Sequence, residues 1–156
     1  MPLHPQTEAL VAGLAGGDEN RPATHELSPD AARQGYLGLA RAFGPVPDVA
    51  AVEDRTLTTT VGDVPVRVYT PTGEAPFPVL VYYHGGGWVI GDLVTHDREC
   101  RTLCNEADCI VVAVDYRLAP EHPFPASHDD CWAATKWVYE NAAHLNGDPG
   151  RLAVAG

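Results

Sequence analysis

The spacing of apolar residues changes character near residue 50. Before that point they recur every three or four positions, the period of a helix with one covered face. The stretch "QTEALVAGLAGG" predicts a short helix ending on glycines. "LSPDAARQGYLGLARAFG" predicts a second helix with signals at both ends: Ser28 as N-cap, Pro29 at the first helical position, Asp30 in the first turn and Gly44 past the end. Ala32, Tyr36, Leu39 and Phe43 share one face, so this helix has something to cover. "GPVPDVA" then interrupts the pattern as a linker.

From residue 52 the pattern alternates. "VEDRTLTTTV" and "VPVRVYTP" predict two strands joined in a hairpin at Gly62-Asp63. "PFPVLVYYH" and "CIVVAVDY" are continuous apolar runs, the mark of strands buried on both faces, and "RLAVAG" predicts a third. That last strand reads as central to its sheet. Between them, "THDRECRTLCNEA" predicts a helix capped by Thr95. "SHDDCWAATKWVYENAAHL" predicts another, with Ser127 and Asp130 at capping-box spacing. A hairpin followed by βαβαβ predicts an α/β fold, a mostly parallel sheet with helices on both faces. The expected division is a helical segment at 1–44 and a sheet domain at 45–156.

Composition narrows the function. The net charge of −11 argues against a nucleic-acid partner, which needs a basic surface, and against an anionic membrane surface. The first residues, "MPLHPQTEAL", lack a basic segment followed by a long apolar one, and no run approaches the roughly 20 apolar residues that span a bilayer. A cytoplasmic protein is expected. Its cysteines, Cys100, Cys104, Cys109 and Cys131, form no CxxC pair and should be reduced there.

The chemistry lies in "VYYHGGGWVIGD", where Gly85, Gly86 and Gly87 follow directly on a buried strand. Ligands of open α/β sheets bind beyond the carboxyl ends of strands. Glycines there let the backbone approach a ligand, and two aligned N–H groups can hold the oxyanion that develops in acyl transfer. His84 and Trp88 bracket the loop. A turn that only reverses the chain is the other reading of three glycines. A phosphate loop is the weaker one, for neither GxxxxGK[ST] nor a GxGxxG opening a helix is present.

"HGGGW" followed by "DYRLAPEHPFPASHDD" resembles the hormone-sensitive-lipase-like family of α/β-hydrolases, the bacterial carboxylesterases with an HGGG motif. The likeness runs from about residue 35 to the end. It implies that Gly86 and Gly87 donate the oxyanion-hole N–H groups, that Gly85 shapes the turn, and that His84 braces the loop without being the catalytic histidine. It also implies that "RLAVAG" leads into the G-x-S-x-G nucleophile elbow, with Gly156 its first glycine. Serine, acid and histidine would then all lie beyond Gly156, in a C-terminal half that completes the site. The helices before residue 44 would help form a cap over the acyl pocket. The implied reaction is hydrolysis of short to medium acyl esters by a Ser-His-Asp/Glu triad, with no metal or organic cofactor and a small-molecule ester as partner. Homo-oligomerisation stays open. The rival implied by the same likeness is a binding protein, as in the plant gibberellin receptors, which keep the pocket after losing part of the triad.

Three other clusters invite chemistry. Asp115, Arg117 and Glu121 lie close together, but the structural reading is preferred: Asp115 closes a strand, Arg117 suits a bidentate carboxylate pair, and Pro120, Pro123 and Pro125 stiffen the path. His96, Cys100 and Cys104 share a helix face, yet Cys100, Leu103, Cys104 and Ala107 also make an ordinary apolar stripe. His122, His128, Asp129 and Asp130 form the third cluster, with two acids where a helix start favours them. No metal is assigned to either. Ser28 and Ser127 read as caps, so no serine in hand competes for the nucleophile's role.

Overall fold

The computed structural model describes residues 2–15, 22–42 and 44–156. Alternation builds the first two strands, β1 (Ala51–Thr59) and β2 (Gly62–Thr70), which pair antiparallel with Leu57 opposite Val64. Leu57, Val64, Val66 and Val68 all turn inward and are buried. That register moves the turn. Thr59 pairs with Gly62, so Thr60 and Val61 make the reversal in place of the expected Gly62-Asp63. The Thr59 hydroxyl secures it, donating to the Gly62 carbonyl at 2.7 Å and accepting the Val61 N–H at 3.2 Å.

The continuous apolar runs become β3 (Phe77–Tyr83) and β4 (Ile110–Val114), and every residue of β4 is buried. The sheet order is β1-β2-β4-β3-β5, where β5 is Gly147–Ala155. The sheet is mixed: β2 meets β4 antiparallel, whereas β4, β3 and β5 run parallel. Two helices cover opposite faces. Ala134 and Val138 of α4 (Ala126–Asn141; α1 to α3 precede it in chain order) pack on Val79, Val81 and Val112. Cys100 and Cys104 of α3 (Asp97–Glu106) pack on Tyr69, Val111 and Ala113. Burying each such aliphatic side chain contributes about 1.5–3 kcal/mol. β5 begins earlier than the expected strand, at Gly147, and pairs with β3. Among the described residues its other edge has no partner, and Val154 is 56% exposed.

The helix starts repay inspection. α1 (Pro5–Ala15) forms as expected, though its stop at Gly16 and Gly17 lies outside the described residues. α2 (Pro29–Ala42) is capped by Ser28, whose Oγ accepts the Ala31 N–H at 3.3 Å, and Gly44 beyond its end takes φ +79°. Of the expected stripe, Ala32 is buried, Tyr36 half-buried and Leu39 exposed, and Phe43 is outside the described residues. α3 is not capped by Thr95. That hydroxyl is taken by Asp92, accepting its N–H at 2.8 Å and donating to its carbonyl at 2.9 Å. The capping box at Ser127 and Asp130 does not form either: α4 starts a residue earlier and Asp130 is bound to Arg117.

The proline-containing linker lies against α3. Arg98 donates to the carbonyls of Gly44 and Pro45 at 2.8 and 2.7 Å, Arg101 to that of Pro47 at 3.2 Å, and Asn105 to that of Asp48 at 2.9 Å. Among the described residues no helix is long and apolar enough to cross a membrane.

Candidate active site

β3 delivers the chain to His84 and the glycines at its carboxyl end. Gly86, Gly87 and Trp88 follow at φ +140°, +59° and +63°. A Cβ at Gly86 would overlap the Ile90 carbonyl oxygen, whereas one at Gly87 would meet nothing within 4 Å. Gly91, at φ +92°, is equally tight: a Cβ there would run into the Gly85 carbonyl and His84 Nδ1. Trp88 accepts a backbone that bulky residues avoid, the kind of strain that gathers at functional sites.

The carbonyls of the loop are committed. Gly85 O lies 3.0 Å from His84 Nδ1, and Gly86 O accepts the N–H groups of Val89 at 3.1 Å and Ile90 at 3.0 Å. A trans peptide is planar, so its C=O and the following N–H point opposite ways. Holding Gly85 O therefore aims the Gly86 N–H, and holding Gly86 O aims the Gly87 N–H. Among the described residues neither N–H meets an acceptor.

His84 is buried at the base of the loop. Its ring stacks on Tyr116 with centroids 4.3 Å apart, and the Tyr116 hydroxyl donates to the His84 carbonyl at 2.5 Å. Burial, and then the neighbouring His96, push its pKa down, while the bond to Gly85 opposes the shift. A neutral ring with its proton on Nδ1 makes that bond, and Nε2 is buried without a partner among the described residues. Burial also pushes the Tyr116 hydroxyl up to about 12, so it remains a donor.

A cavity of about 560 Å³ opens beside the loop. Gly85, Gly86, Gly87 and Trp88 form one wall, and Val154, Ala155 and Gly156 form another. A volume of this size suits a small organic molecule. The end of β5 approaches β3 closely there: a Cβ on Gly156 would lie 2.5 Å from the Tyr83 carbonyl oxygen. Ser127 also reaches the cavity, with its Oγ 3.5 Å from His128 Nδ1. His128 is flanked by Trp88 and Phe124 at 6.1 and 5.1 Å between ring centroids, and no carboxylate orients it among the described residues. Ser127 is thus part of the lining, without the relay that activates a serine.

The remaining clusters separate. Arg117 grips Asp130 through Nε at 2.9 Å and Nη2 at 2.7 Å, with its own N–H adding a third bond at 2.9 Å. Glu121 instead meets Arg33, whose guanidinium holds its carboxyl down at about 2. Burial, with Asp92 nearby, pushes the Asp115 carboxyl up. The three line one cavity of about 450 Å³, but Arg117 and Glu121 are each bound to a different partner. His96 contacts the Thr95 hydroxyl at 3.0 Å and the Tyr36 hydroxyl at 3.4 Å, while Cys100 and Cys104 face the sheet as thiols pushed up to about 12 by burial. Among the described residues no group of His, Cys, Asp or Glu is placed to hold a metal ion. Sequence reasoning missed Arg33. The available signal was an arginine beside the apolar stripe of α2 and a single glutamate in a proline-stiffened loop.

A glycine loop thus closes a parallel strand of an α/β sheet, beside a cavity shared with the next strand's end. Residues 80–156 match the family described as alpha/beta hydrolase fold. Over 107 residues, 67% of this chain and 34% of the other, the chain is 58% identical to Carboxylesterase NlhH of Mycobacterium tuberculosis. It is 48% identical over 130 residues to Esterase LipI of the same organism, covering 81% of this chain and 40% of that protein. The hyperthermophilic esterase of the archaeon Pyrobaculum calidifontis superposes with a TM-score of 0.88 at 38% identity, over 100% of this chain and 50% of that one. The chain belongs to the hormone-sensitive-lipase-like family of α/β-hydrolases. It spans between a third and a half of the length of these relatives.

Proposed function

We propose that this chain supplies the oxyanion hole of a serine carboxylesterase. The observation that carries this reading is the pair of oriented N–H groups on Gly86 and Gly87, beside the cavity that Gly156 also lines. The serine, histidine and acid are assigned to sequence beyond Gly156, in keeping with the length of the relatives. The serine attacks the ester carbonyl, and the histidine takes its proton and passes it to the leaving alcohol. The carbonyl oxygen gains charge as it becomes tetrahedral, and the two N–H groups stabilise it where water is displaced. Water then releases the acid from the acyl-enzyme by the same steps. Gly85 shapes the turn, His84 braces it, and no cofactor enters.

Small-molecule esters are the proposed substrates, supported by the relatives' names, and the modest size of the cavity supports short to medium acyl chains. Residues 1–44 are proposed as part of a cap, supported by the contact of α2 with the loops around the site. The free thiols suit a reducing cytoplasm. The test is the full-length protein with para-nitrophenyl esters of increasing chain length and a fluorophosphonate probe. Turnover highest on short acyl chains, with labelling at one serine, is expected. No turnover together with no labelling would overturn the reading.

A further inference from the structure

Arg33 projects from α2 to two loops at once. Its Nε donates to the Val89 carbonyl at 2.8 Å and its Nη2 to the Ala119 carbonyl at 3.0 Å. The same guanidinium grips Glu121 in a fork, Nη1 to Oε1 and Nη2 to Oε2, both at 2.8 Å. We propose that Arg33 is a positioning residue for the oxyanion loop, setting the direction of the Gly87 N–H through two chains of peptide planes. This inference rests on the esterase reading above.

The chains can be followed atom by atom. Val89 O and the Ile90 N–H belong to one peptide, so Arg33, in holding Val89 O, aims the Ile90 N–H at Gly86 O. Trp88 O and the Val89 N–H belong to the preceding peptide. The Ala119 N–H holds Trp88 O at 2.8 Å, which aims the Val89 N–H at the same Gly86 O. The Ala119 loop is in turn clamped by Arg33 at Ala119 O and at Glu121. Both bonds that fix Gly86 O thus run back to one guanidinium, and the peptide of Gly86 O carries the Gly87 N–H.

The chemistry of the side chain fits the task. A guanidinium offers five donors in a rigid plane, and Arg33 uses that plane in three directions. An ammonium group cannot hold two carbonyls and a carboxylate in that geometry. Its side chain is 25% exposed, so the bonds are partly shielded from water. The N-terminal helix then acts on the chemical step, beyond any effect it has on substrate entry.

The test uses the full-length enzyme and the variants Arg33→Met, Arg33→Lys and Glu121→Gln. Inhibition by a trifluoromethyl ketone, which forms a tetrahedral adduct bearing an oxyanion, is compared with that by the matching methyl ketone, which does not. Arg33→Met is expected to lower kcat about 10- to 100-fold with KM within about two-fold, the pattern of a lost transition-state contact. The trifluoromethyl ketone should weaken in step while the methyl ketone does not, and millimolar guanidinium ion should restore part of kcat. Glu121→Gln should show a smaller loss of the same kind, because Val89 O keeps its donor. If Arg33→Met does not fold, Arg33→Lys and Glu121→Gln carry the same comparison. Parent kcat in the folded Arg33 variants, or a loss confined to KM, overturns the proposal. A parent that turns over and loses activity in Gly86→Ala, beside unimpaired Arg33 variants, sinks this inference alone. A parent with neither turnover nor serine labelling sinks the esterase reading and this inference with it.

Discussion

Replacing Gly86 by alanine separates the loop's backbone chemistry from its side chains. Gly86 sits at φ +140°, and the new Cβ would overlap the Ile90 carbonyl oxygen. Holding a non-glycine residue in such a conformation costs about 1–3 kcal/mol. Clearing Ile90 also requires the turn to open, which loosens the Val89 and Ile90 bonds to Gly86 O at about 0.5–1.5 kcal/mol each. The total, about 2–6 kcal/mol, is of the order of a native domain's margin of roughly 5–15 kcal/mol but below most of that range, so a folded but displaced loop is expected. Freed from its two donors, the Gly86 carbonyl no longer aims the Gly87 N–H. Losing one oxyanion donor lowers kcat about 100- to 1000-fold. Gly87→Ala is the comparison. Its φ of +59° is left-handed but allowed, at about 1–2 kcal/mol, and its Cβ meets nothing within 4 Å. It should therefore lower the thermal midpoint less than Gly86→Ala does. The assay is kcat and KM of the full-length protein on para-nitrophenyl acetate, with circular dichroism melts of both variants. A Gly86→Ala protein that melts with the parent and turns over at the parent's rate would refute both the strain and the aiming of the N–H.

Gly91→Ala should also lower kcat, because its Cβ would push on His84 Nδ1 and the Gly85 carbonyl; a variant with parent turnover would remove His84 from the bracing of the loop. The His84 pKa is depressed below 6.5 in the fold, so the unfolded chain binds the extra proton first as pH falls. Its contribution to stability is complete above about 6.5 and lost progressively below it, so the parent's thermal midpoint should fall with acid more steeply than that of His84→Asn; equal slopes would contradict this. Asp130→Asn should destabilise by about 1–2 kcal/mol in a denaturant melt, a value reduced for the 42% exposure of Arg117, and an unchanged midpoint would show that the pair holds nothing in place.

The parts of the molecule legible in the sequence are those where one side chain reports one environment. Val64, Val66 and Val68 alternate because they face the core while Pro65 and Arg67 between them do not, and the β4 run is apolar throughout because both its faces are covered. Ser28 caps α2 because, among the described residues, nothing else claims its hydroxyl. The failures share a cause: a partner outside the element took the residue. Thr95 is taken by Asp92 in the loop before the helix, Asp130 by Arg117, and the hairpin turn moved because Leu57 had to face Val64. The pattern within each element holds no record of such claims. At the candidate site, "HGGGW" marked the loop, and the shared cavity brings Gly156 to it. Arg33 stayed hidden because a charged residue on an amphipathic helix reads as a solvated one, and its hydrogen-bond partners lie at least 56 residues away in sequence.

The attachment of the linker to α3 has a consequence for how this region can drift. Arg98, Arg101 and Asn105 all bind main-chain carbonyls, those of Gly44, Pro45, Pro47 and Asp48. A carbonyl is the same whatever side chain stands beside it. The anchor therefore reads the path and length of the linker and is blind to its letters. Apart from Gly44, whose φ of +79° favours glycine, residues up to 48 should tolerate substitution, while a one-residue insertion or deletion would put every carbonyl out of step with its donor. Chimaeras that exchange the N-terminal segment between relatives should accordingly be joined by matching residue count across this stretch rather than by matching sequence.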